Sequence, residues 1–183
     1  MTATAPRPGP FGAAARAYHA AGWLGPLPLP PRRKHSPPDG YTGGGGEYPT
    51  VEQLERWATA SPASNIALRM NPDVIGIDVD AYGTTPGAKT LHDLESALGP
   101  LPATWMSTSR SDGVSGIRFY RLEAPTKLIG SLPGIEIIQR HHRYAVVAPS
   151  LHPDSGDTYQ WIHQETAALA TTAHEDVAKQ FPF

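Results

Sequence analysis

Apolar positions recur at helical spacing in the first half of the chain, and the second half alternates or runs apolar in the manner of short strands. Alanines dominate residues 11–21, predicting a helix with Gly22 as its C-cap. A proline-rich extended stretch follows at 27–31. Thr50 reads as the N-cap of a helix over 50–58, with Val51, Leu54 and Trp57 forming one apolar stripe. Strands are predicted at 65–70 and 73–80, split by the Asn71-Pro72 turn. A helix at 86–98 carries Leu91, Leu94 and Leu98 and ends at Gly99-Pro100. Strands are then expected at 104–109, 116–122, 135–139, 144–148 and 159–162, joined mostly by short turns. This order predicts an α+β fold with largely antiparallel pairing in the second half. Residues 165–183 are helix-prone and read as a helical tail or the start of a linker.

Composition narrows the picture. A chain of 183 residues fits one domain, or two small lobes sharing a core. Residues 1–10 are expected to be flexible and 11–164 to form the domain. Residues 1–50 hold half of the 20 prolines and half of the 18 glycines, so much of that segment cannot be regular structure. At 39% hydrophobic and 17% charged residues the chain should nonetheless fold. No apolar run approaches the ~20 residues that span a membrane, and residues 1–10 lack the pattern of a secretory signal. The absence of cysteine excludes disulfides and thiolate zinc sites and fits a cytoplasmic protein. A net charge of −2 exerts no global pull on polyanions, so any nucleic-acid binding must use local basic patches.

The chemistry concentrates in a few places. Val74-Ile75-Gly76-Ile77-Asp78-Val79-Asp80 is a β-branched run ending in two carboxylates. A strand has a side-chain period of two, so Asp78 and Asp80 share a face. Two like charges there call for a cation, and hard oxygen ligands suit Mg²⁺ or Mn²⁺. Glu136 interrupts the apolar strand 135–139, either as an exposed residue on an alternating face or as a third acid held by that cation. Residues 107–118 set small hydroxyl residues and glycines between Arg110 and Arg118, which makes either an ordinary hairpin loop or a phosphate cradle. The turn Gln139-Arg140-His141-His142-Arg143 is basic and close to Glu136. His152, between two prolines, either contacts a nucleotide or caps a turn. Arg32-Arg33-Lys34-His35 is either a solvated loop or a contact to a nucleic-acid backbone.

In this order the motifs resemble the bifunctional DNA primase/polymerase N-terminal (Prim-Pol) domain of the archaeo-eukaryotic primase superfamily, over residues 14–162. The helix ending in Ala21-Gly22-Trp23, with Lys34 after a proline-rich stretch, is similar to the family's opening. The helix at 50–58 and Ser64-Asn65-Ile66-Ala67-Leu68 are similar to the elements that follow. Asp78-Val79-Asp80 matches the first motif, a pair of metal-binding acids, and Gly134-Ile135-Glu136 the third, which supplies another. Residues 144–153 are similar to the family's strand and Pro-Ser turn, and Tyr159-Gln160-Trp161 to its closing strand. The second motif usually has a His that contacts the incoming nucleotide's phosphates. Here Arg118 of Ser115-Gly116-Ile117-Arg118 falls at that place, and a guanidinium can grip phosphate as a fork.

The resemblance implies a primase-like fold, with helices flanking a mixed or antiparallel sheet and an RRM-like catalytic half. It implies template-directed nucleotidyl transfer from (d)NTPs to a 3′-hydroxyl. Asp78, Asp80 and Glu136 would hold two Mg²⁺ or Mn²⁺ ions as catalytic residues. Ser109, Ser115, Arg118, His142, Arg143 and His152 would bind nucleotide, and Arg32, Arg33, Lys34 and Arg140 would contact nucleic acid. The implied partners are a single-stranded DNA template, the nucleotide and a helicase domain or replication partner. The alternatives are a catalytically weak nucleic-acid-binding module, a metal-dependent nuclease, or a structural α+β domain whose acids are solvated.

Overall fold

A computed structural model describes residues 8–123, 127–128 and 131–162, together with the backbone of 170–172. Among these the elements are α1 (Pro10–Ala20), β1 (Gly25–Leu29), α2 (Val51–Ala60), β2 (Asn65–Arg69), β3 (Val74–Val79), α3 (Gly87–Leu98) and β4 (Met106–Thr108). There follow β5 (Gly116–Leu122), β6 (Ser131–Leu132), β7 (Ile135–Ile138), β8 (Ala145–Val147), β9 (Gln160–Ile162) and β10 (Ala170–Thr172). The protein is thus α+β.

Local signals set the helix ends. Gly22 takes φ +92 after α1. Its N–H bonds the His19 carbonyl while that of Trp23 reaches Tyr18, the paired C-terminal closure that a left-handed glycine permits. Thr50 caps α2 by accepting from the Gln53 N–H. The stripe expected on α2 needs correction. Leu54 and Ala58 are buried, but Val51 is 51% exposed, because steps of three drift off the buried face. On α3, Leu91 is buried and Leu98, at the helix end, is 46% exposed.

Two sheets form. The smaller has the order β1-β2-β8, antiparallel throughout. The proline-rich stretch supplies its edge, where alternate N–H groups face away from the partner and proline is tolerated. The larger has the order β6-β7-β3-β5-β4-β9. Two of its strands were not expected. One is the short edge strand β6. The other is β10, inside the segment read as a helical tail, where 170–172 instead pair parallel with residues 120–122 of β5.

The larger sheet has two different faces. Ile75, Ile77 and Val79 of β3 pack with Tyr120, Leu122, Ile135, Ile137 and Leu91 of α3. Val74 lies on the opposite face with Ile117, Phe119 and Ile138, in a core shared with α1, α2 and the smaller sheet. Gly76 lies on that second face. A Cβ there would come within 2.8 Å of Ile117 Cγ2 and 3.3 Å of Ile138 Cβ, so the missing side chain lets those two residues close beneath Asp78.

The end of β3 is clamped by backbone. Asp80 N–H donates to the Gly134 carbonyl at 2.8 Å, and Gly87 N–H donates to the Asp80 carbonyl at 3.0 Å. Neither glycine has room for a side chain, since a Cβ on Gly134 would sit 2.3 Å from Gly87 N and one on Gly87 2.2 Å from Asp80 O. Gly134 also has φ +73. Gly134→Ala is therefore expected to destabilise the fold by about 2–4 kcal/mol, from overpacking plus a left-handed non-glycine residue. Urea denaturation measures this, and an unchanged midpoint would rule out the clamp.

Candidate active site

The register of the larger sheet assembles the acids. Asp78 pairs with Glu136 on β7 and with Ile117 on β5. Directly opposite residues share a face with Cβ atoms about 4.5–5.5 Å apart. Asp80, two residues on, falls on the same side. All three carboxylates line one cleft of about 300 Å³, where this face meets the smaller sheet. Ser107 Oγ donates to the Val146 carbonyl at 3.0 Å and joins the two sheets at its floor.

Asp78 is under the most strain. Burial first, then the charges of Asp80 and Glu136, push its carboxyl up to about 7 against a weaker pull from Lys34 and Arg143. Glu136 accepts from His142 Nε2 at 2.9 Å and Arg143 Nε at 3.1 Å through the same oxygen. Arg143 holds φ 64, a left-handed backbone for a non-glycine residue in the cleft wall.

The facing wall carries cations. Lys34, Arg110 and Arg143 line the cleft with His152, Tyr82 and Tyr159. A buried polar network brings Lys34 and His152 there. Asn65 Nδ2 donates to the carbonyls of Arg33 at 3.0 Å and Leu151 at 2.8 Å, while its Oδ1 accepts from Leu151 N–H. Ser150 Oγ accepts from Ile66 N–H at 2.7 Å. One β2 residue thus pins the loops of Lys34 and His152 side by side. Loss of surrounding water, then Arg110, holds the Lys34 ammonium below the usual lysine range. Arg110 stacks on the Tyr82 ring at 4.3 Å.

His152 is 2% exposed. Its Nδ1 accepts from the N–H groups of Asp154 at 3.3 Å and Ser155 at 3.4 Å. The proton of the neutral ring therefore sits on Nε2, which is buried and has no partner among the described residues. Burial, then Lys34 and Arg110, lowers its pKa and keeps the ring neutral.

Other expected residues fall elsewhere. Arg118 does not join the acids. It pairs with Ile77, so the period of two sends it to the α3 face, where its guanidinium donates to the Val114 carbonyl at 3.0 Å. The β5 residue facing Asp78 is Ile117. Ser115 lines the cleft, but its hydroxyl is occupied, donating to Asp112 at 2.7 Å and accepting from Ala81 N–H at 3.1 Å. It ties the β4–β5 turn to the chain after Asp80. Ser109 lines the cleft and hydrogen-bonds Tyr159. His142 reaches the site only through Glu136. Arg32 and Arg33 lie exposed on the loop before Lys34. Arg140 sits within the 139–142 turn and lines a depression other than the cleft of the acids. Sequence reasoning undervalued Lys34 and Arg110, and the one local signal for Arg110 was its place in the hydroxyl-rich turn.

The donor set is of the kind a hard divalent cation takes, since three carboxylates line one cleft and the charges of the other two already disturb Asp78. Among the described residues no three His, Cys, Asp or Glu side chains form a closed ligand group, and Glu136 is turned into its ion pairs. Asp78 and Asp80 are thus the residues most available to such an ion.

Asp78 also sets a pH dependence. Its folded-state pKa lies above the unfolded value of 3.8, so its contribution is fully favourable below pH 4 and is lost as pH rises to about 7. Metal-free protein should lose on the order of a few kcal/mol across that window. Asp78→Asn should flatten the profile and be the more stable protein at pH 8, as read by chemical denaturation at each pH. Parallel profiles for the two proteins would refute the assignment.

No described helix is long and apolar enough to cross a membrane. Among curated proteins and solved structures, none matches the chain. A family model described as bifunctional DNA primase/polymerase, N-terminal, matches residues 15–175. That span takes in both strands carrying the acids, the loops after β4 and β8 that carry Arg110 and His152, and β10, and the family generally uses divalent metal ions. The chain belongs to the Prim-Pol family, and its function is of the primase/polymerase type.

Proposed function

We propose that the cleft catalyses template-directed nucleotidyl transfer from a (d)NTP to a 3′-hydroxyl. The observation that carries this reading is the opposition of charges across one cleft. Asp78, Asp80 and Glu136 line the cleft from the larger sheet, and Lys34, Arg110 and the neutral His152 line it from loops around them. A triphosphate is the ligand that needs both walls. It is a polyanion, yet its reacting end must sit beside carboxylates, which requires a metal between them.

Asp78 and Asp80 would hold that metal, with Glu136 joining once it leaves His142 and Arg143. Bound there, divalent ions would supply activation of the 3′-hydroxyl and charge neutralisation at the phosphates. The chain's own residues do the rest. Lys34 and Arg110 neutralise the triphosphate and orient it. His152, with its tautomer fixed by the amides of 154 and 155, would donate from Nε2 to a phosphate or sugar oxygen once ligand entry uncovers that nitrogen. Arg143 is positioned to take a phosphate oxygen in exchange for Glu136. Ser109 supports the cleft through Tyr159. Ser115 keeps Asp80 in place without touching the ligand. The primase-like fold expected with this activity is supported by the antiparallel β7-β3-β5-β4 order, backed by α3.

The ion pairs of Glu136 favour a second reading, a nucleic-acid-binding module with weak catalysis. A nuclease would need the acids but would leave the cationic wall without a purpose.

Primer extension on a single-stranded template with Mg²⁺ or Mn²⁺ separates these readings. Wild type should incorporate nucleotide, and Asp78→Ala should lower the rate by at least about 100-fold. A folded wild type that incorporates nothing, with or without primer, would sink the catalytic reading. Template cleavage indifferent to nucleotide would identify a nuclease.

The cationic wall makes a separate claim. Lys34→Ala and Arg110→Ala should each raise KM for nucleotide about tenfold, the loss of one charge-assisted contact. Arg118→Ala should leave that KM unchanged, since its side chain lies on the other face of the sheet. A KM that rises in Arg118→Ala alone would overturn this division.

A further inference from the structure

The cleft continues past Glu136. That residue also lines a second depression, shared with Lys127, Gln139, His141 and His142. The second depression in turn shares Lys127, Gln139 and His141 with a third, which runs by Arg140 to Gly44 and Pro72. Their volumes are about 400 and 480 Å³. Through these shared walls the three form one continuous run, from the acids to the far side of the 139–142 turn.

Apart from Glu136, the charged side chains along this run are cationic. Arg143 comes first and is offset by Glu136. Beyond it stand Lys127 and Arg140. Among the described residues neither Lys127 nor Arg140 is ion-paired to an acid. Both line the third depression, where an external anion could meet the two together.

The chain also spends buried polar groups on holding this wall. Gln139 is buried, with its amide bonded twice to Leu128, from Leu128 N–H at 2.9 Å and to the Leu128 carbonyl at 2.6 Å. This fixes the segment carrying Lys127 against the turn. Arg69, fully buried, donates to the Arg140 carbonyl at 2.8 Å and the Gly43 carbonyl at 2.9 Å, and stacks on Tyr48 at 4.7 Å. A buried arginine bonded only to carbonyls is an expensive way to hold a turn. It holds the Arg140 backbone while the Arg140 side chain stays at the rim with the Tyr48 hydroxyl.

We propose that this run is the track along which the phosphate backbone of a single-stranded nucleic acid reaches the cleft, with Lys127 and Arg140 as its outer phosphate contacts. Its direction rests on the transfer reading of the cleft. A single line of cations matches one backbone rather than the two of a duplex, and charge contacts of this kind bind without regard to sequence.

The test is fluorescence anisotropy with a labelled single-stranded DNA oligonucleotide, without nucleotide or metal, over a salt series. Each phosphate contact contributes about 0.7 to the slope of log affinity against log salt for a single strand. The double variant Lys127→Ala/Arg140→Ala should lower the slope by about 1.4 and weaken binding at least tenfold at low salt, for mixed and homopolymer sequences alike. Arg56→Ala/Lys89→Ala, which removes two exposed cations on α2 and α3 that line none of these depressions, should leave the slope unchanged. Arg140→Gln, which keeps a polar side chain beside Tyr48, should lower it by about 0.7 and guards against misfolding of the double variant. Unchanged slopes in folded Arg140→Gln protein, or an equal loss in the Arg56/Lys89 variant, would overturn the track. Primer extension failing while these slopes behave as expected would instead sink the transfer reading and leave the track standing.

Discussion

Everything in the site depends on the two-faced alternation of β3. Ile75, Ile77 and Val79 bury themselves against α3 and the neighbouring strands. That burial fixes which way Asp78 and Asp80 face, because a slip of one residue would pull three aliphatic side chains out of the α3 core and send two carboxylates into it. Three fully buried aliphatic side chains are worth several kcal/mol, at roughly 1.5–3 kcal/mol each. The repulsion among the acids works against the fold but is smaller than that sum. The site is therefore assembled by hydrophobic register and tolerated electrostatically until a cation arrives.

The opposite wall is assembled by hydrogen bonds. Asn65 on β2 takes up backbone groups from the loop before Lys34 and from the loop before His152, and Ser150 ties the second loop to β2 again. These loops are far apart in sequence and share no apolar contact pattern that would bring them together. Buried polar groups of this kind must be satisfied or they cost stability, so the geometry of the cationic wall is held nearly as firmly as that of the acid wall. The cleft is a junction between a sheet that orders carboxylates by packing and loops that order cations by polar pinning.

This difference explains what could be read in the sequence. Period-two arguments place Asp78 and Asp80 on one face, and the β7 pattern around Glu136 marks it as the acid out of place. Helix ends at Gly22, Thr50 and Gly99 were equally legible, since capping is local chemistry. The prolines of β1 read only as an extended stretch, because edge pairing depends on a partner strand. Arg118 shows the limit most clearly. Alignment by motif offers a residue type at a place in a turn, whereas the pairing of β5 with β3 decides which face it takes, and one position of difference exchanges Arg118 for Ile117. Lys34 and His152 are brought into the cleft by Asn65, whose role is invisible without the fold. The strand at 170–172 was missed because its alanine and threonines are paired by the exposed end of β5, not by any pattern of their own.

The remaining step concerns how the walls act on each other. Asp78 sits high enough to be half-protonated near neutral pH, while its opposite cations are held below their usual affinity for protons or are permanently charged. Lys34 feels Arg110 as well as the acids, and His152 is kept neutral by both. Each set of charges is thus crowded with its own sign, and among the described residues lining the cleft the one ion pair between an acid and a cation is Glu136 with Arg143. A ligand that brings cations to one wall and anions to the other relieves both at once, and a metal–triphosphate complex has that distribution of charge. The unfavourable crowding in the cleft then favours a ligand that carries both signs of charge over a bare cation or a bare nucleotide.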